Sequence, residues 1–226
     1  MGRVLGVVGG SGGVGASSFA AVLAAMRRDA VLIDLDVIGG GLDVTLGVES
    51  APGARWSGLR VAGGRLDPGA LVEGLPRWGP VPVLGADVAQ LDPSAVMQVL
   101  DAASSVGLVV LDLPRASCAE RAAALLHCDL VVVLGRADVE GLVAAHAQVA
   151  VLPELPIGLV VRRGEVSADD AATLVGCPLL GELPALGGSR LELRPDRLPR
   201  AIARVAAGVL GGLGRHQFGR HPASAA

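Results

Sequence analysis

Short, wholly apolar runs alternate along the chain with longer stretches in which alanine, leucine and valine recur at helical spacing. The runs at residues 4–8, 31–33, 81–84, 108–111, 130–134, 157–161 and 179–180 lack the polar alternation of a strand with one wet face. They predict strands buried on both sides, as in a parallel sheet. Between them, residues 17–28, 93–103, 119–126, 139–151 and 168–175 predict helices, with a last helix over about 199–210. This alternation predicts an α/β chain: a doubly wound, mostly parallel sheet with helices on both faces. In such folds ligands sit beyond the carboxyl ends of the strands. Residues 49–80, rich in Gly, Pro and Arg, predict a partly irregular excursion. One domain is expected over residues 1–212. The tail from residue 213, which begins within the helix-breaking "GGLG", is expected to be disordered.

Composition sharpens this picture in a few places. The chain has 226 residues, enough for one sizeable domain, and is 51% hydrophobic but only 2% aromatic, so its core must be aliphatic. A net charge of −3 points neither to a nucleic-acid-binding protein nor to an acidic tail. The sequence contains no Lys, Asn or Tyr, the pattern of a GC-rich genome. Cys118, Cys128 and Cys177 form no C-x-x-C pair, which implies a reduced, cytoplasmic setting. The N-terminus makes a poor signal peptide, and no run approaches the ~20 apolar residues of a membrane span.

The chemistry begins in "GGSGGVGASS", residues 9–18. A loop of the form G-x-x-x-x-G-K-[ST] cradles nucleotide phosphates. Gly10 and Gly15 have its spacing, Ser17 takes the hydroxyl position, and Ala16 stands where the lysine belongs. Codon bias turns Lys into Arg more readily than into Ala. The loop follows a strand, "RVLGVV", and opens a helix, "ASSFAAVLAAM". In that setting, backbone N–H groups and the helix N-terminus supply most of the phosphate binding without any side chain. Asp34 and Asp36 in "LIDLDVIGGGLD", and Asp112 in "LVVLDLP", lie at the carboxyl ends of two further strands. Singly, such Asp residues read as helix caps or turn formers. Three of them beside a phosphate loop suit hydrated Mg²⁺, which takes oxygen ligands and retains several waters.

The combination "GGSGGVGASS", "VLIDLDVIGGGLD" and "LVVLDLP" resembles the MinD/ParA group of P-loop ATPases with their deviant phosphate loop. The resemblance continues through "LVVVLGRADVEGLVAAHAQVAVL" and "LLGELPALGGSRLELRP", covering about residues 3–210. Within the group, the lysine-less "GGVGAS" is most similar to CpaE- and TadZ-type proteins. "GGGLDVTLGVESAPGARWSGL" resembles an actinobacterial CpaE-like, septum-site-determining branch. Such proteins often carry a receiver-like region ahead of the ATPase domain, where this chain begins directly.

The resemblance implies ATP or ADP with Mg²⁺ as cofactors. It places Gly10, Ser11, Gly12, Gly13, Val14, Gly15, Ala16, Ser17 and Ser18 around the phosphates, with Ser17 on the metal. It makes Asp34 the holder of the metal's water shell, Asp36 the residue orienting the attacking water, and Asp112 the Walker B carboxylate. It also implies a homodimer, partners in pilus, secretion or septation machinery, and a cytoplasmic place extending to the inner-membrane surface or the cell pole. Three departures bear on catalysis. Ser11 replaces the group's signature lysine, which crosses the dimer interface to the partner's nucleotide; Ala16 replaces the ordinary loop lysine; and Ala116, preceded by Arg115, replaces the switch II glycine. Losing one donor to a developing charge commonly costs about a hundred- to a thousandfold in rate. Hydrolysis is therefore expected to be slow or absent unless a partner supplies an arginine.

Other constellations carry less. The iron–sulphur relatives of this group use two cysteines per chain, and no cysteine precedes Cys118, so all three cysteines read as small core residues. His127 and His146 have no partners at ligand spacing. Arg197, Arg200 and Arg204 share a face of the last helix, with Arg190 and Arg194 just before it; Glu192 and Asp196 dilute the patch. A solvated face is preferred there over non-specific DNA contact, and Phe218 alone is a poor membrane anchor. Three functional readings stay open. They are a nucleotide-binding localisation factor working as a switch or scaffold, a partner-activated ATPase, and a pseudo-ATPase that binds no nucleotide.

Overall fold

The computed structural model describes residues 2–59, 65–185 and 193–214. The apolar runs form strands β1 (Val4–Gly9), β2 (Ala30–Asp34), β4 (Val81–Leu84), β5 (Leu108–Asp112), β6 (Leu130–Arg136), β7 (Ile157–Arg162) and β8 (Leu179–Leu183), with a short β3 (Arg77–Trp78). They make one sheet in the order β3-β4-β2-β5-β1-β6-β7-β8. Every pairing is parallel except the β3–β4 hairpin. The doubly wound, mostly parallel sheet read from the sequence is the one observed.

Consecutive side chains of each central strand enter opposite cores, as pleating requires. Val4 and Val8 of β1 pack on one side, and Leu5 and Val7 on the other. Helices α1 (Ala16–Ala25), α2 (Leu42–Leu46) and α8 (Arg200–Gly214) cover the second face. Helices α3 (Pro68–Glu73), α4 (Pro93–Val106), α5 (Ala119–Leu125), α6 (Val139–Ala150) and α7 (Ala168–Val175) cover the first. Three of them, α3, α4 and α6, begin on an aspartate, Asp67, Asp92 and Asp138, whose side chain accepts from a first-turn N–H; α7 uses Ser167 in the same way.

Two differences from the expected elements have local causes. The excursion at residues 49–80 is more ordered than its composition suggests. Arg55 donates to the carbonyls of Val48, Glu49, Ala51 and Gly53 and pairs with the Asp43 carboxylate at 3.3 Å. It is followed by a 3-10 turn at Trp56–Gly58, α3 and β3. Helix α8 runs through "GGLG" to Gly214 instead of stopping near residue 210. Ile202, Ala206, Val209 and Leu213 form its buried stripe, and Gly212 is buried beside it, so tertiary packing overrides glycine's poor propensity. The part of the expected disordered tail beyond residue 214 lies outside the described residues, as does Arg190. Among the described residues no helix is long and apolar enough to cross a membrane.

Candidate functional site

Strand β1 lies at the centre of the sheet between β5 and β6, and the chain leaves its carboxyl end directly into α1. Strand order reverses here, which opens the crevice where such sheets take ligands. The intervening loop turns on two glycines in the left-handed region, Gly13 (φ 73°) and Gly15 (φ 94°), the latter capping α1. Gly10 is glycine for a different reason: a Cβ there would lie 2.8 Å from the Ala145 backbone nitrogen in α6. Its own N–H donates to the Leu134 carbonyl of β6 at 2.7 Å, which anchors the loop's start. Beyond that anchor, the backbone N–H groups of residues 11–18 donate to no protein acceptor among the described residues. A run of free amides ending at a helix N-terminus is an anion cradle. It holds eight of the nine loop residues singled out in the sequence, with Gly10 as its anchor.

Asp34 and Asp112 end neighbouring strands and pair in register across β2 and β5. Both are buried. Burial pushes the Asp112 carboxyl up to about 8, with the charge of Asp34 adding to the effect, while the Ser17 hydroxyl hydrogen-bonds it and pulls the other way. Burial likewise pushes Asp34 up to about 6. The two Asp34 oxygens accept from the N–H groups of Asp36 and Leu42, both at 2.9 Å, so this carboxylate organises the loop between β2 and α2. Trp56 closes the same corner by donating its indole N–H to the Asp34 carbonyl at 2.8 Å. Asp36 is half-buried at the start of that loop and accepts from the Ile38 N–H.

The donor set fits a hydrated magnesium better than a fully protein-ligated ion. Among the described residues no three His, Cys, Asp or Glu side chains group in a way that holds a metal. What the crevice offers is a serine hydroxyl bonded to one buried carboxylate, with a second carboxylate alongside, and Mg²⁺ is commonly held through one or two carboxylates, waters and phosphate oxygens. The loop amides fit the phosphates. The residues carrying the lysine positions stay short: Ser11 on the half-buried loop rim and Ala16 at the start of α1.

Two arginines that the sequence reading did not assign to the loop lie against it. Arg162, at the end of β7, is 7% exposed and donates from Nε to the Val14 carbonyl at 2.9 Å and from Nη1 to the Pro184 carbonyl at 3.0 Å. Arg115, just past Asp112, sits near Gly12, where an added Cβ would come 3.8 Å from its Nη2. Its carbonyl accepts from Arg121 Nη1 at 2.7 Å and from Gln148 Nε2 at 3.1 Å. Arg121 is itself buried under this turn, bonded also to the Pro114 carbonyl and to Gln148. Of the three cysteines read as core residues, Cys128 packs half-buried against the core, whereas Cys118, at the N-cap of α5, is half-buried and not part of it. Cys177 is buried, and burial pushes the Cys128 and Cys177 thiols up to about 12. His127 lies 3.1 Å from Asp101, and His146 bonds the Val175 carbonyl.

No protein-family model matches the chain. Among solved structures it superposes on a ParA family ATPase from Chlorobium tepidum with a TM-score of 0.74 and 20% identity, over 91% of this chain and 98% of that one. It also superposes on the septum site-determining protein MinD of Pyrococcus horikoshii, solved with Mg-ADP, with a TM-score of 0.68 and 18% identity over 94% and 98%. This is the fold of the MinD and ParA P-loop ATPases. MinD in the MinC:MinD cell division complex of Aquifex aeolicus matches similarly, with a TM-score of 0.68 and 18% identity over 92% and 96%. In sequence, the chain is 40% identical over 237 aligned positions to an uncharacterised protein of Mycobacterium tuberculosis, Rv3660c in strain H37Rv and MT3760 in strain CDC 1551. That alignment takes in 97% of this chain and 66% of the relatives' length. Within this fold the loop and both buried aspartates lie together at the carboxyl ends of β1, β2 and β5.

Proposed function

We propose that this chain binds a magnesium–adenine nucleotide in its lysine-less loop and works as a localisation switch or scaffold rather than as a fast ATPase. The observation that carries the reading is the run of unpaired loop amides at residues 11–18, ending on Ser17 and its bond to Asp112. In this reading the amides of Gly12, Gly13, Val14, Gly15, Ala16, Ser17 and Ser18 hold the phosphates. Ser17 and Asp112 hold the metal directly or through water, and Asp34 keeps the adjoining loop in place. Bound Mg²⁺ screens the phosphate charge. Asp36 is positioned to orient water, yet no lysine faces the phosphates to stabilise transfer, so turnover is slow or absent.

The sequence resemblance to CpaE- and TadZ-type proteins directs the role toward placing a pilus, secretion or septation machine, as a homodimer at the inner-membrane surface or cell pole. Isothermal titration with Mg-ATP and Mg-ADP, paired with a phosphate-release assay, tests the reading. Saturable binding with little phosphate release supports it. Fast intrinsic release, or release that a partner protein accelerates, moves the chain to the ATPase class; absence of binding at millimolar nucleotide makes it a pseudo-ATPase scaffold.

A further inference from the structure

The loop lacks both lysines, yet two guanidinium groups press on it from opposite ends. Arg162 reaches it across 148 positions of sequence. Its Nη2 lies 2.7 Å from where a Cβ on Gly15 would stand, and donates to no protein acceptor among the described residues. Among those residues it also pairs with no carboxylate. Buried cations are ordinarily paired with an anion. Here the neighbouring group is an anion cradle, and burial without a counter-charge already lowers the guanidinium's pKa. With Nε and Nη1 spent on two carbonyls, the fork retains donors for a further acceptor.

Arg115 completes the bracket. Its side chain is exposed, forms no ion pair among the described residues, and has Nη2 over Gly12 on the open rim of the loop. Its backbone is fixed by the bonds from buried Arg121 and Gln148 to its carbonyl. It follows Asp112 by three residues and so lies on the side of the crevice where Ser17 and Asp112 would hold a metal, which would neutralise charge on the terminal phosphate. Arg162 lies on the far side, at the helix end of the loop.

We propose that Arg115 and Arg162 supply, from within the same chain, the cationic phosphate contacts that lysine supplies in an ordinary phosphate loop. Arg115 meets the terminal phosphate, and Arg162 meets the phosphates nearer the α1 N-terminus. This rests on the nucleotide-binding reading above and names the residues that make it work.

Calorimetry on the full chain with Mg-ATP and with Mg-ADP, for the wild type, Arg115→Gln, Arg162→Gln and Arg162→Lys, tests the proposal. A hydrogen bond to a charged group is worth about ten- to a hundredfold in affinity. Arg115→Gln should weaken Mg-ATP by that factor and leave Mg-ADP within about threefold. Arg162→Gln should weaken both nucleotides alike, and Arg162→Lys should recover part of the loss, which a purely structural prop would not require. If the wild type binds and Arg115→Gln binds both nucleotides unchanged, the terminal-phosphate contact is wrong while the nucleotide reading stands. If Arg162→Gln, or Arg162→Met where that variant does not fold, binds both nucleotides at wild-type strength, the Arg162 contact is overturned. A wild type that binds neither nucleotide overturns both proposals together.

Discussion

Substituting Gly15 by alanine probes the contact between the loop and Arg162 directly. Gly15 has φ 94°, where an L-residue costs about 1–2 kcal/mol. Its new Cβ would lie 2.7 Å from Arg162 Nη2, closer than real contacts allow. The guanidinium must withdraw, and its 2.9 Å bond to the Val14 carbonyl goes with it, at a cost of about 1.5 kcal/mol or more for a charged donor. The total is roughly 3 kcal/mol. At about 2–4 °C per kcal/mol for a chain of this size, the melting temperature should fall by about 6–12 °C. Gly176→Ala is the control: its φ is 82°, and nothing lies within 4 Å of the added Cβ, so only the backbone cost remains. Differential scanning fluorimetry of both variants, repeated in an Arg162→Met background, separates the two contributions. There Gly15→Ala should cost no more than Gly176→Ala. Equal losses for Gly15→Ala with and without Arg162 would refute the clash.

Three further outcomes follow from the site. Asp112 and Asp34 hold their protons to about pH 8 and about 6, whereas unfolded Asp titrates near ~3.9, so the folded form binds more protons between these values. Stability of the metal-free protein should therefore fall as pH rises from about 5 to 8, and Asp112→Asn should flatten the slope in urea melts with chelator. Asp29, Asp87 and Asp138 are held below the usual range by hydrogen bonds to their carboxylates, so their contributions are lost only at more acidic pH and leave that window clear. Ala16→Lys should tighten Mg-ATP binding about tenfold by returning a charged donor to the loop, without producing a fast ATPase, since Ser11 and Ala116 stay changed; rapid phosphate release from this single variant would contradict that. Because Ser11 cannot reach across to a partner's nucleotide, any homodimer should respond weakly to Mg-ATP in sedimentation over a concentration series. A monomer that dimerises only with ATP would overturn this.

Much of the architecture was legible because its strands are buried on both faces, and runs such as "LVVVL" admit little else. The glycine loop between β1 and α1 was legible from its spacing together with the strand and helix that flank it, and Asp34 and Asp112 from their place at strand ends. What escaped were elements too short to show a period, α2, α3 and β3, and the continuation of α8 through glycines that its packing tolerates. Arg162 could not be assigned from local pattern, since its contact spans 148 positions. One signal was present: "VVRRG" ends a buried strand with an arginine directly after apolar residues, at the edge where the fold takes ligands. Trp56 was equally hidden, because its bond to the Asp34 carbonyl joins an irregular segment to β2.

The central claim is that backbone amides hold the nucleotide where no lysine does. Amide-resolved NMR of the ¹⁵N-labelled chain, titrated with Mg-ADP, reads those donors one by one. The account predicts downfield shifts concentrated at Gly12 to Ser18, with the Gly10 amide, already bonded to Leu134, moving least within the loop. Saturating nucleotide that leaves these amides unmoved, or shifts only residues elsewhere, would contradict it.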